Sequence, residues 1–342
     1  MHAHLAIEHD FPLKSLNTFG IDARARRYLR VTGPDDLAAV MADPALAALP
    51  RLLLGGGSNV LLTRDFDGLV LHMTGAGKAI AGETATHVLV RGAAGESWHG
   101  FVQYTLAQGL GGLENMSLIP GTLGAAPIQN IGAYGAEIKD VFHSLTVFDM
   151  ASGELRTMDA AACRFGYRDS VFKRAEGQGL AIVDVTFALP LGWQPNLRYA
   201  ELAQALADAG IEQPTPQQVS DTVVAIRRRK LPDPALIGNA GSFFKNPVVT
   251  GAECARLLAQ FPALVHHAQP DGSEKLAAGW LIDQCGWKGR NLGAAGVYPK
   301  QALVLVNNGG ASGADVLALA RAIQADVWAR YGVTLEPEPV FV

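Results

Sequence analysis

The sequence has only three cysteines in 342 residues, and these three, Cys163, Cys254 and Cys285, are far apart. It contains no Cys-x-x-Cys pair and no group of histidines and cysteines at the spacing typical of a zinc site. These absences argue against a disulfide framework. They predict a protein of a reducing compartment that binds no metal.

Long apolar runs and an excess of positive charge are also absent. The apolar run at residues 52–62 is broken by three glycines and is too short to cross a bilayer, and residues 1–11 lack the apolar core of a secretory signal. The net charge is −4, and the densest basic run, at residues 227–230, follows an apolar periodic stretch and is typical of a helix end. We therefore expect a cytoplasmic protein that binds neither nucleic acid nor a membrane and has no obligate protein partner.

Two common nucleotide-binding motifs are missing although glycine is abundant. The chain has 38 glycines, which cluster in a few short runs without a period. None of these runs matches Gly-x-Gly-x-x-Gly or Gly-x-x-x-x-Gly-Lys-Ser/Thr, and Gly75-Ala76-Gly77-Lys78 lacks the distal glycine of a P-loop. A Rossmann or P-loop site is disfavoured, whereas tight turns and close backbone–ligand contacts are indicated.

The order of hydrophobic patterns predicts an α+β chain in three parts. Residues 1–75 follow a strand–helix–strand–turn–strand pattern, and residues 76–214 contain a helix after Ser97, a hairpin across residues 151–153 and a strand at 180–189. A boundary is expected near residue 214, among several prolines. Residues 215–342 predict helices at 253–261 and 275–285 and a further helix whose capping box starts at Ser312.

Two glycine-rich stretches are candidate cofactor sites. The turn Gly55, Gly56, Gly57, Ser58, Asn59 follows a short buried strand, and its backbone amides suit phosphate oxygens. The long uncharged run at 120–135 suits a flat, polar-edged ligand such as a flavin. The alternatives are a simple turn and a structural loop. The candidate residues of the second stretch are Pro120, Gly121, Thr122, Gly124, Ala125, Gln129, Asn130, Gly132, Ala133, Tyr134 and Gly135.

Three further stretches carry reactive or charged groups. Arg168 has the planar guanidinium that clamps a carboxylate, with a surface arginine paired to Asp169 as the alternative. Glu336 and Glu338 lie on one face of an extended, proline-flanked segment, which predicts a sheet edge or an unpaired tail aimed into a site, against a solvated acidic tail. Residues 238–247 combine the hydroxyl of Ser242 with two phenylalanines. This composition suits a dry pocket that holds a reacting group, and the alternative is a glycine-rich turn that enters an apolar strand.

Taken together and in this order, these stretches resemble the UDP-N-acetylenolpyruvoylglucosamine reductase family over nearly the whole chain. The resemblance implies an FAD-binding module of the vanillyl-alcohol-oxidase type in two subdomains, followed by a C-terminal α+β substrate domain. It implies non-covalent FAD, NADPH as reductant, and reduction of UDP-N-acetylglucosamine enolpyruvate to UDP-N-acetylmuramate for peptidoglycan. The matching motifs lie at residues 17–22, 57–61, 112–115, 119–121, 127–135, 164–170, 230–234, 241–247 and 335–338.

The resemblance also implies roles for single residues. Both glycine-rich stretches and Ile182 would bind FAD, and Ser242 would donate a proton to the substrate. Arg168 and Glu338 would flank the substrate carboxylate, with Glu338 protonated because an ionised glutamate would repel the developing charge. The residues that would hold the substrate and its diphosphate are Tyr167, Tyr199, Lys230, Asn246 and Gln301. Rival hypotheses are an O₂-dependent sugar or alcohol oxidase and a nucleotide-sugar binding protein without turnover.

Overall fold

The computed structural model describes residues 5–342, so the first four residues of the predicted N-terminal part lie outside it. The described chain forms two compact units, both discontinuous in sequence. Unit 1 contains residues 5–11, Ala25–Gly57 and Asp67–Arg229, and unit 2 contains Pro12–Arg24, Ser58–Phe66 and Lys230–Val342. Two short N-terminal segments therefore belong to the unit that the C-terminal third builds.

The β-strands of the described residues are mostly short and mostly paired antiparallel. In chain order they are β1 (Glu8–Pro12), β2 (Arg24–Val31), β3 (Arg51–Leu54), β4 (Val60–Leu61), β5 (Phe66–Met73), β6 (Lys78–Glu83), β7 (His87–Ala93), β8 (Gly132–Ala133), β9 (Ala136–Glu137), β10 (Phe142–Asp149), β11 (Glu154–Asp159), β12 (Leu180–Pro190), β13 (Gly238–Ser242), β14 (Val248–Val249), β15 (His266–Ala268), β16 (Glu274–Leu276), β17 (Asn291–Leu292), β18 (Ala295–Val297), β19 (Val304–Asn307) and β20 (Val340–Phe341).

The α-helices range from single turns to a long C-terminal helix. They are α1 (Pro34–Ala42), α2 (Pro44–Ala47), α3 (Trp98–Ala107), α4 (Ala160–Cys163), α5 (Ala200–Asp208), α6 (Pro216–Lys230), α7 (Gly251–Gln260), α8 (Ala278–Gln284) and α9 (Gly313–Tyr331). Among the described residues no helix combines the length and apolar character that a membrane span requires.

Unit 1 is built on two sheets, with strand orders β1-β2-β5-β3 and β11-β10-β12-β7-β6. Alternate residues of the central strand β12, Val185, Phe187 and Leu189, are fully buried, as expected for a strand with one face on a core. They share that core with Trp98 and Phe101, so α3 covers the second sheet. Separate cores join α1 to the first sheet and α5 to α6.

Unit 2 contains the antiparallel sheet β13-β19-β18-β17 and the smaller sheet β14-β16-β15. Helix α9 buries Val316, Leu319, Ile323 and Val327 at the spacing of one helix face. Its first turn has the predicted capping box, in which the backbone N–H of Asp315 donates to Ser312 Oγ at 3.2 Å. A local sequence signal therefore fixed this helix start correctly.

Two predicted elements differ from the structure. The run at 120–135, expected to lack regular structure, contains a 3₁₀ helix at Leu123–Gln129 and strand β8, which pairs with β9 just after the run. The helix expected at 275–285 starts only at Ala278, because Glu274–Leu276 form β16 between β14 and β15. In both cases pairing with neighbouring backbone decided the local structure, which a single-segment pattern cannot show.

Candidate active site

The glycine turn after β3 packs directly against the start of the 120–135 segment in unit 1. A Cβ added to Gly55 would lie 2.3 Å from Oγ1 of Thr122, and one added to Gly56 would lie 3.1 Å from Cα of Gly121. Close packing therefore leaves no room for a Cβ at Gly55 and only tight room at Gly56, so glycine serves more than a turn here. The two predicted cofactor segments lie against each other.

Backbone hydrogen bonds hold the second segment in place. Gly121 O accepts from the N–H of Trp98 at 3.0 Å, and the N–H of Gly124 donates to Ala94 O at 2.9 Å. A Cβ on Gly124 would lie 2.5 Å from Cβ of Ala94. The segment is thus anchored to the end of β7 and the start of α3, which makes it a rigid wall.

A cavity of about 260 Å³ lies beside this wall. Five predicted cofactor residues line it, namely Gly55, Thr122, Gly124, Ala125 and Ile182. Oγ1 of Thr122 is buried and has no hydrogen-bond partner among the described residues. A buried hydroxyl without a partner is costly, and a polar-edged cofactor would supply that partner. The residues present therefore fit part of an FAD molecule. The sequence analysis missed other lining residues, among them Arg51, Met73 and Phe172.

The distal half of the segment contains non-glycine residues in the left-handed region. Asn130 and Tyr134 have φ values of 45° and 49°. The buried side chain of Asn130 compensates for this strain, because its amide donates to Glu137 Oε2 at 3.0 Å and to Gly166 O at 2.9 Å, and its Oδ1 accepts from the N–H of Lys139. One amide thus ties the candidate flavin segment to the stretch that carries Arg168.

Arg168 is fixed on the same segment. Its Nη2 donates to Gly132 O at 3.0 Å, and its guanidinium lies 5.4 Å from the ring centroid of Tyr167. The carboxylate of Asp169 is held by Arg174 at 2.7 Å. Arg168 has a φ of 51°, so its backbone is also left-handed. The structure places Arg168 and Tyr167 beside the candidate cofactor segment within unit 1.

Tyr134 and Tyr199 contact each other edge to face, with ring centroids 5.0 Å apart. Asn115 holds this arrangement, because its Nδ2 donates to Tyr134 O and to Asn196 O, both at 2.8 Å. Burial raises the pKa of Tyr134 to about 12, so its phenol stays neutral. Tyr199 precedes α5 and is 43% exposed, which leaves it accessible to a ligand. Asn115 lies in the 112–115 motif that carries the family resemblance, but the sequence analysis gave neither Asn115 nor Asn196 a role in the site.

The sequence predicted for Arg227 only a place in the basic run at the end of a helix. In the structure its Nε is buried and has no hydrogen-bond partner among the described residues. Burial lowers the pKa of this guanidinium, and the nearby Tyr134 opposes that shift. A buried cation on α6 therefore lies close to the candidate cofactor segment of unit 1.

Ser242 ends β13 in unit 2 at an irregular point of the sheet. The pairing of β13 with β19 shifts between Asn239 and Ser242, and Gly241 has a φ of 69°. The buried Asn239 supports this bend, since its Oδ1 accepts from the N–H of Gly241 at 2.9 Å. Ser242 is exposed, whereas Phe243 and Phe244 behind it are fully buried. The bulge presents one hydroxyl at the surface of an aromatic core.

Glu338 lies on a backbone that pairs with the residues after Ser242. Its N–H donates to Phe243 O at 2.8 Å, and the N–H of Lys245 donates to Glu336 O at 2.9 Å. Of the three alternatives, the backbone pairing agrees with a sheet edge, whereas an unpaired tail and a solvated tail are excluded because Glu338 is bonded to Phe243 and is only 8% exposed. Pro337 and Pro339 have no N–H to donate, but this pairing does not need them. It uses the carbonyl of Glu336 and the N–H of Glu338.

The last residues are held by the segment that follows the glycine turn. β20 pairs in parallel with β4, with Val340 opposite Val60. Nδ2 of Asn59 donates to Glu338 O at 3.2 Å. These contacts attach residues 338–341 to the segment at 59–61 within unit 2.

The remaining predicted substrate residues of unit 2 cluster around the start of α8, except for Lys230 at the end of α6. Asn246 Oδ1 accepts from the N–H of Ala278 at 3.0 Å. Oε1 of Gln301 would lie 3.3 Å from a Cβ on Gly279. Because the Asn246 oxygen is engaged, its amide nitrogen is oriented as a donor.

The predicted site residues are thus distributed over both units. Unit 2 carries Ser58, Asn59, Lys230, Ser242, Asn246, Gln301 and Glu338, and unit 1 carries all the others. Within unit 1 the structure brings together the glycine turn, the 120–135 segment and Arg168. Within unit 2 it brings together Asn59, Glu338 and the backbone after Ser242.

Two known family models match this chain. Residues 25–159 match the model of an FAD binding domain. Residues 233–342 match the C-terminal domain of UDP-N-acetylenolpyruvoylglucosamine reductase. The chain is therefore a flavoprotein oxidoreductase, with an FAD-binding domain followed by a second, family-specific domain.

Full-length relatives identify the family. The chain is 59% identical to UDP-N-acetylenolpyruvoylglucosamine reductase of Ralstonia nicotianae, covering 98% of this chain and 99% of the relative. It is 60% identical to the enzyme of the same name from Azoarcus sp., covering 99% and 98%. The chain belongs to the UDP-N-acetylenolpyruvoylglucosamine reductase family. The predictions of family, enzyme class, fold class and FAD are confirmed.

A solved structure shows the same fold. The crystal structure of UDP-N-acetylenolpyruvylglucosamine reductase from Thermus caldophilus is similar to this chain with a TM-score of 0.70 at 23% identity, covering 99% of both chains. The fold is therefore retained at low sequence identity.

Proposed function

We propose that this chain reduces UDP-N-acetylglucosamine enolpyruvate to UDP-N-acetylmuramate with NADPH, through non-covalently bound FAD, in peptidoglycan precursor synthesis. Besides family membership, one observation carries the proposal: the cavity at Gly55 and Thr122 is lined by residues predicted to bind FAD, and it contains a buried hydroxyl without a partner. The predicted cytoplasmic location and the three-part division at residues 75 and 214 stay predictions.

Residues 55–59, the 120–135 segment and Ile182 would hold the cofactor. Bound there, FAD would supply hydride chemistry: a hydride from NADPH would pass through flavin N5 to C3 of the enolpyruvyl group. A single flavin site that serves both half-reactions also accounts for the lack of a separate dinucleotide motif in the sequence.

Arg168 and Glu338 would bind the substrate carboxylate. Hydride addition at C3 places negative charge on C2 and the carboxylate, and preorganised donors that meet this charge lower the barrier by several kcal/mol. The guanidinium of Arg168 is already oriented by Gly132 O and Tyr167. The backbone of Glu338 is fixed by Phe243 and Asn59. Both groups would therefore require little rearrangement when the charge develops.

Ser242 would transfer its hydroxyl proton to C2. A serine hydroxyl is a weak acid toward water, but the enolate of a carboxylate is far more basic and accepts the proton in a favourable direction. The exposed position of Ser242 on a bulge gives its hydroxyl access to substrate. The buried phenylalanines next to it would limit the approach of water, which otherwise competes as proton donor.

The substrate diphosphate would be held by donors. Lys230 offers an ammonium group, and the Asn246 amide is oriented by its bond from Ala278. Gln301, close to the same helix start, and the accessible Tyr199, together with Tyr167, complete the proposed set. These groups would fix the nucleotide end of the substrate while the enolpyruvyl end reacts.

Separate measurement of the two half-reactions tests the proposal. The purified protein should show a flavin spectrum that bleaches with NADPH under anaerobic conditions and returns when the enolpyruvyl substrate is added. Ser242→Ala should bleach normally but lose at least about a hundredfold in the rate of return, whereas Ser152→Ala, at an exposed turn, should behave like the parent. A flavin that bleaches only with a sugar or alcohol and returns with O₂ would indicate an oxidase, and a protein without either step would indicate a binding protein. Parental return in Ser242→Ala would remove Ser242 as the proton donor.

A further inference from the structure

Three metal-ligating side chains meet in unit 2, and none of them has a role assigned above. Cys254 lies on α7, His266 on β15 and Glu274 on β16, and one donor atom from each lies within 4.8 Å of the other two. They include a thiol, an imidazole and a carboxylate, which are all ligands that zinc accepts. The sequence analysis searched for ligands at the short spacing of a zinc motif. It did not find this group because the three side chains come from three separate elements.

The local fold determines why these side chains converge. In the β15–β16 pair, Ala268 is opposite Glu274 and His266 is opposite Leu276, so His266 and Glu274 are diagonal neighbours on one face of the ladder. His266 Nδ1 lies 2.8 Å from Glu274 Oε2. The capping box of Thr250 and Glu253 starts α7 and fixes its first turn, which carries Cys254.

The burial of the three groups resembles that of an open metal site. Cys254 is only 2% exposed, whereas the side chains of His266 and Glu274 are 33% and 19% exposed. The thiol therefore forms the floor, and the imidazole and carboxylate lie on the solvent side. Three protein ligands with an accessible fourth position are typical of zinc sites that retain a water molecule.

We propose that Cys254, His266 and Glu274 form a binding site for a thiophilic divalent cation of the zinc class. On binding, the Cys254 S–H bond breaks, its proton goes to solvent, and the sulfur electron pair forms the bond to the metal. The hydrogen bond between His266 Nδ1 and Glu274 Oε2 also opens, and its proton passes to His266 Nε2 or to solvent, which frees one ring nitrogen and the carboxylate oxygen for the metal. Mg²⁺ and Ca²⁺ are excluded as occupants because they prefer all-oxygen sites, whereas a thiolate selects divalent cations such as Zn²⁺ or Co²⁺. The cation joins α7 to the β15–β16 hairpin.

A bound cation would also act on the segment that holds Asn246. β16 continues through Leu276, whose N–H donates to Pro247 O at 2.8 Å, and then to Ala278, whose N–H donates to Asn246 Oδ1. Clamping β16 to α7 therefore restrains the backbone on which the Asn246 amide is oriented. We expect the main effect on the stability of unit 2.

Cobalt and zinc titrations of the flavin-loaded, chelator-treated protein test the proposal. Co²⁺ should produce d–d bands at longer wavelengths than the flavin absorption, with one equivalent bound, and Zn²⁺ should displace it and raise the melting temperature. Cys254→Ser and Glu274→Gln should each weaken zinc binding by about a hundredfold or more. Matched controls are Cys285→Ser, the other cysteine of unit 2, and His267→Asn, the imidazole next to His266; both should bind zinc like the parent.

Several outcomes would overturn this assignment. They are the absence of d–d bands in the parent, metal binding that disappears with Cys285→Ser, and parental zinc affinity in Glu274→Gln. The last variant keeps the thiol and the apolar packing of Cys254, so it remains informative if Cys254→Ser fails to fold.

Discussion

Gly55 and Gly241 lie at the ends of strands in different units, and each adjoins a proposed functional group. Their reasons for being glycine differ. At Gly55 a side chain has no room, because its Cβ would lie 2.3 Å from Oγ1 of Thr122. At Gly241 no heavy atom lies within 4 Å of an added Cβ, but the φ of 69° disfavours any side chain. Unit 1 uses glycine to bring two segments together, and unit 2 uses it to bend a strand.

This difference bears on how each unit would function. The cavity proposed for FAD needs its two walls, the glycine turn and the 120–135 segment, in fixed contact. A change at Gly55 should therefore weaken FAD binding. A proton donor must point its hydroxyl at the accepting atom. A change at Gly241 should therefore displace Ser242 and leave the cofactor bound. Glycine-rich stretches of similar composition thus predict different phenotypes, and the following variants are ordered by expected effect.

Gly55→Ala should have the largest effect. Relief of the contact requires the Thr122 side chain or the backbone to move, which costs about 1–3 kcal/mol, and the cavity would then lose most of its FAD. The ratio of flavin to protein absorbance after gel filtration and the melting temperature measure both losses. Gly192→Ala, whose Cβ meets no atom within 4 Å, is the control and should retain parental FAD.

A double variant sharpens this test. Thr122→Ala removes the Oγ1 atom that an alanine at position 55 would meet, so Gly55→Ala combined with Thr122→Ala should be more stable than the sum of the single changes predicts. Strictly additive losses would show that the Gly55–Thr122 contact is not the reason for glycine at this position.

Arg168→Lys should have the next largest effect, on turnover rather than on FAD content. A lysine keeps the charge but cannot form a bidentate contact with the substrate carboxylate while also donating to Gly132 O. We expect a loss of about ten- to a hundredfold in the second half-reaction, with normal bleaching by NADPH. Stopped-flow absorbance separates the two steps. Arg174→Lys, at the neighbouring ion pair with Asp169, is the control. Near-parental reoxidation in Arg168→Lys would remove Arg168 from the site.

Gly241→Ala should have a smaller effect, confined to unit 2. A left-handed alanine costs about 1–2 kcal/mol, and relaxation of that strain would displace Ser242. FAD content should remain parental while the second half-reaction slows. Gly241→Asn should recover much of the rate, because asparagine tolerates this conformation. Equal rates in the alanine and asparagine variants would contradict a conformational role for Gly241.

Local signals in the sequence predicted much of this fold. The capping box at Ser312 and the β10–β11 hairpin depend on neighbouring residues and were found where expected. The 3₁₀ helix at Leu123–Gln129 was missed because it has no hydrophobic period and is fixed by contacts with Ala94 and Glu96. Short-range patterns therefore predicted many of the helices and strands, but not the 3₁₀ helix that lines the candidate FAD cavity.

Long-range pairing explains what the sequence could not show about the site. The backbone of Glu338 bonds to Phe243 and Asn59, which are distant in the chain. Arg227 lies in a basic run that predicts a helix end and no more, and the structure shows that its Nε is buried. The motifs identified candidate residues, and their burial and partners became visible only when the elements were packed.

The smallest predicted effect is a pH dependence that belongs to unit 1. Nδ1 of His99 accepts from the N–H of Leu118 at 3.0 Å, next to the 120–135 segment, and this requires a neutral imidazole. Burial, with Arg228 and Arg227, lowers the pKa of His99 below its ordinary value of 6.5. Its contribution to stability is therefore complete above pH 6.5 and is lost as the pH falls from there through the lowered pKa. His99→Gln, which keeps an acceptor, should flatten the acid side of the melting-temperature profile, whereas His143→Gln, an exposed histidine, should not. An unchanged acid slope in His99→Gln would exclude this histidine as the source.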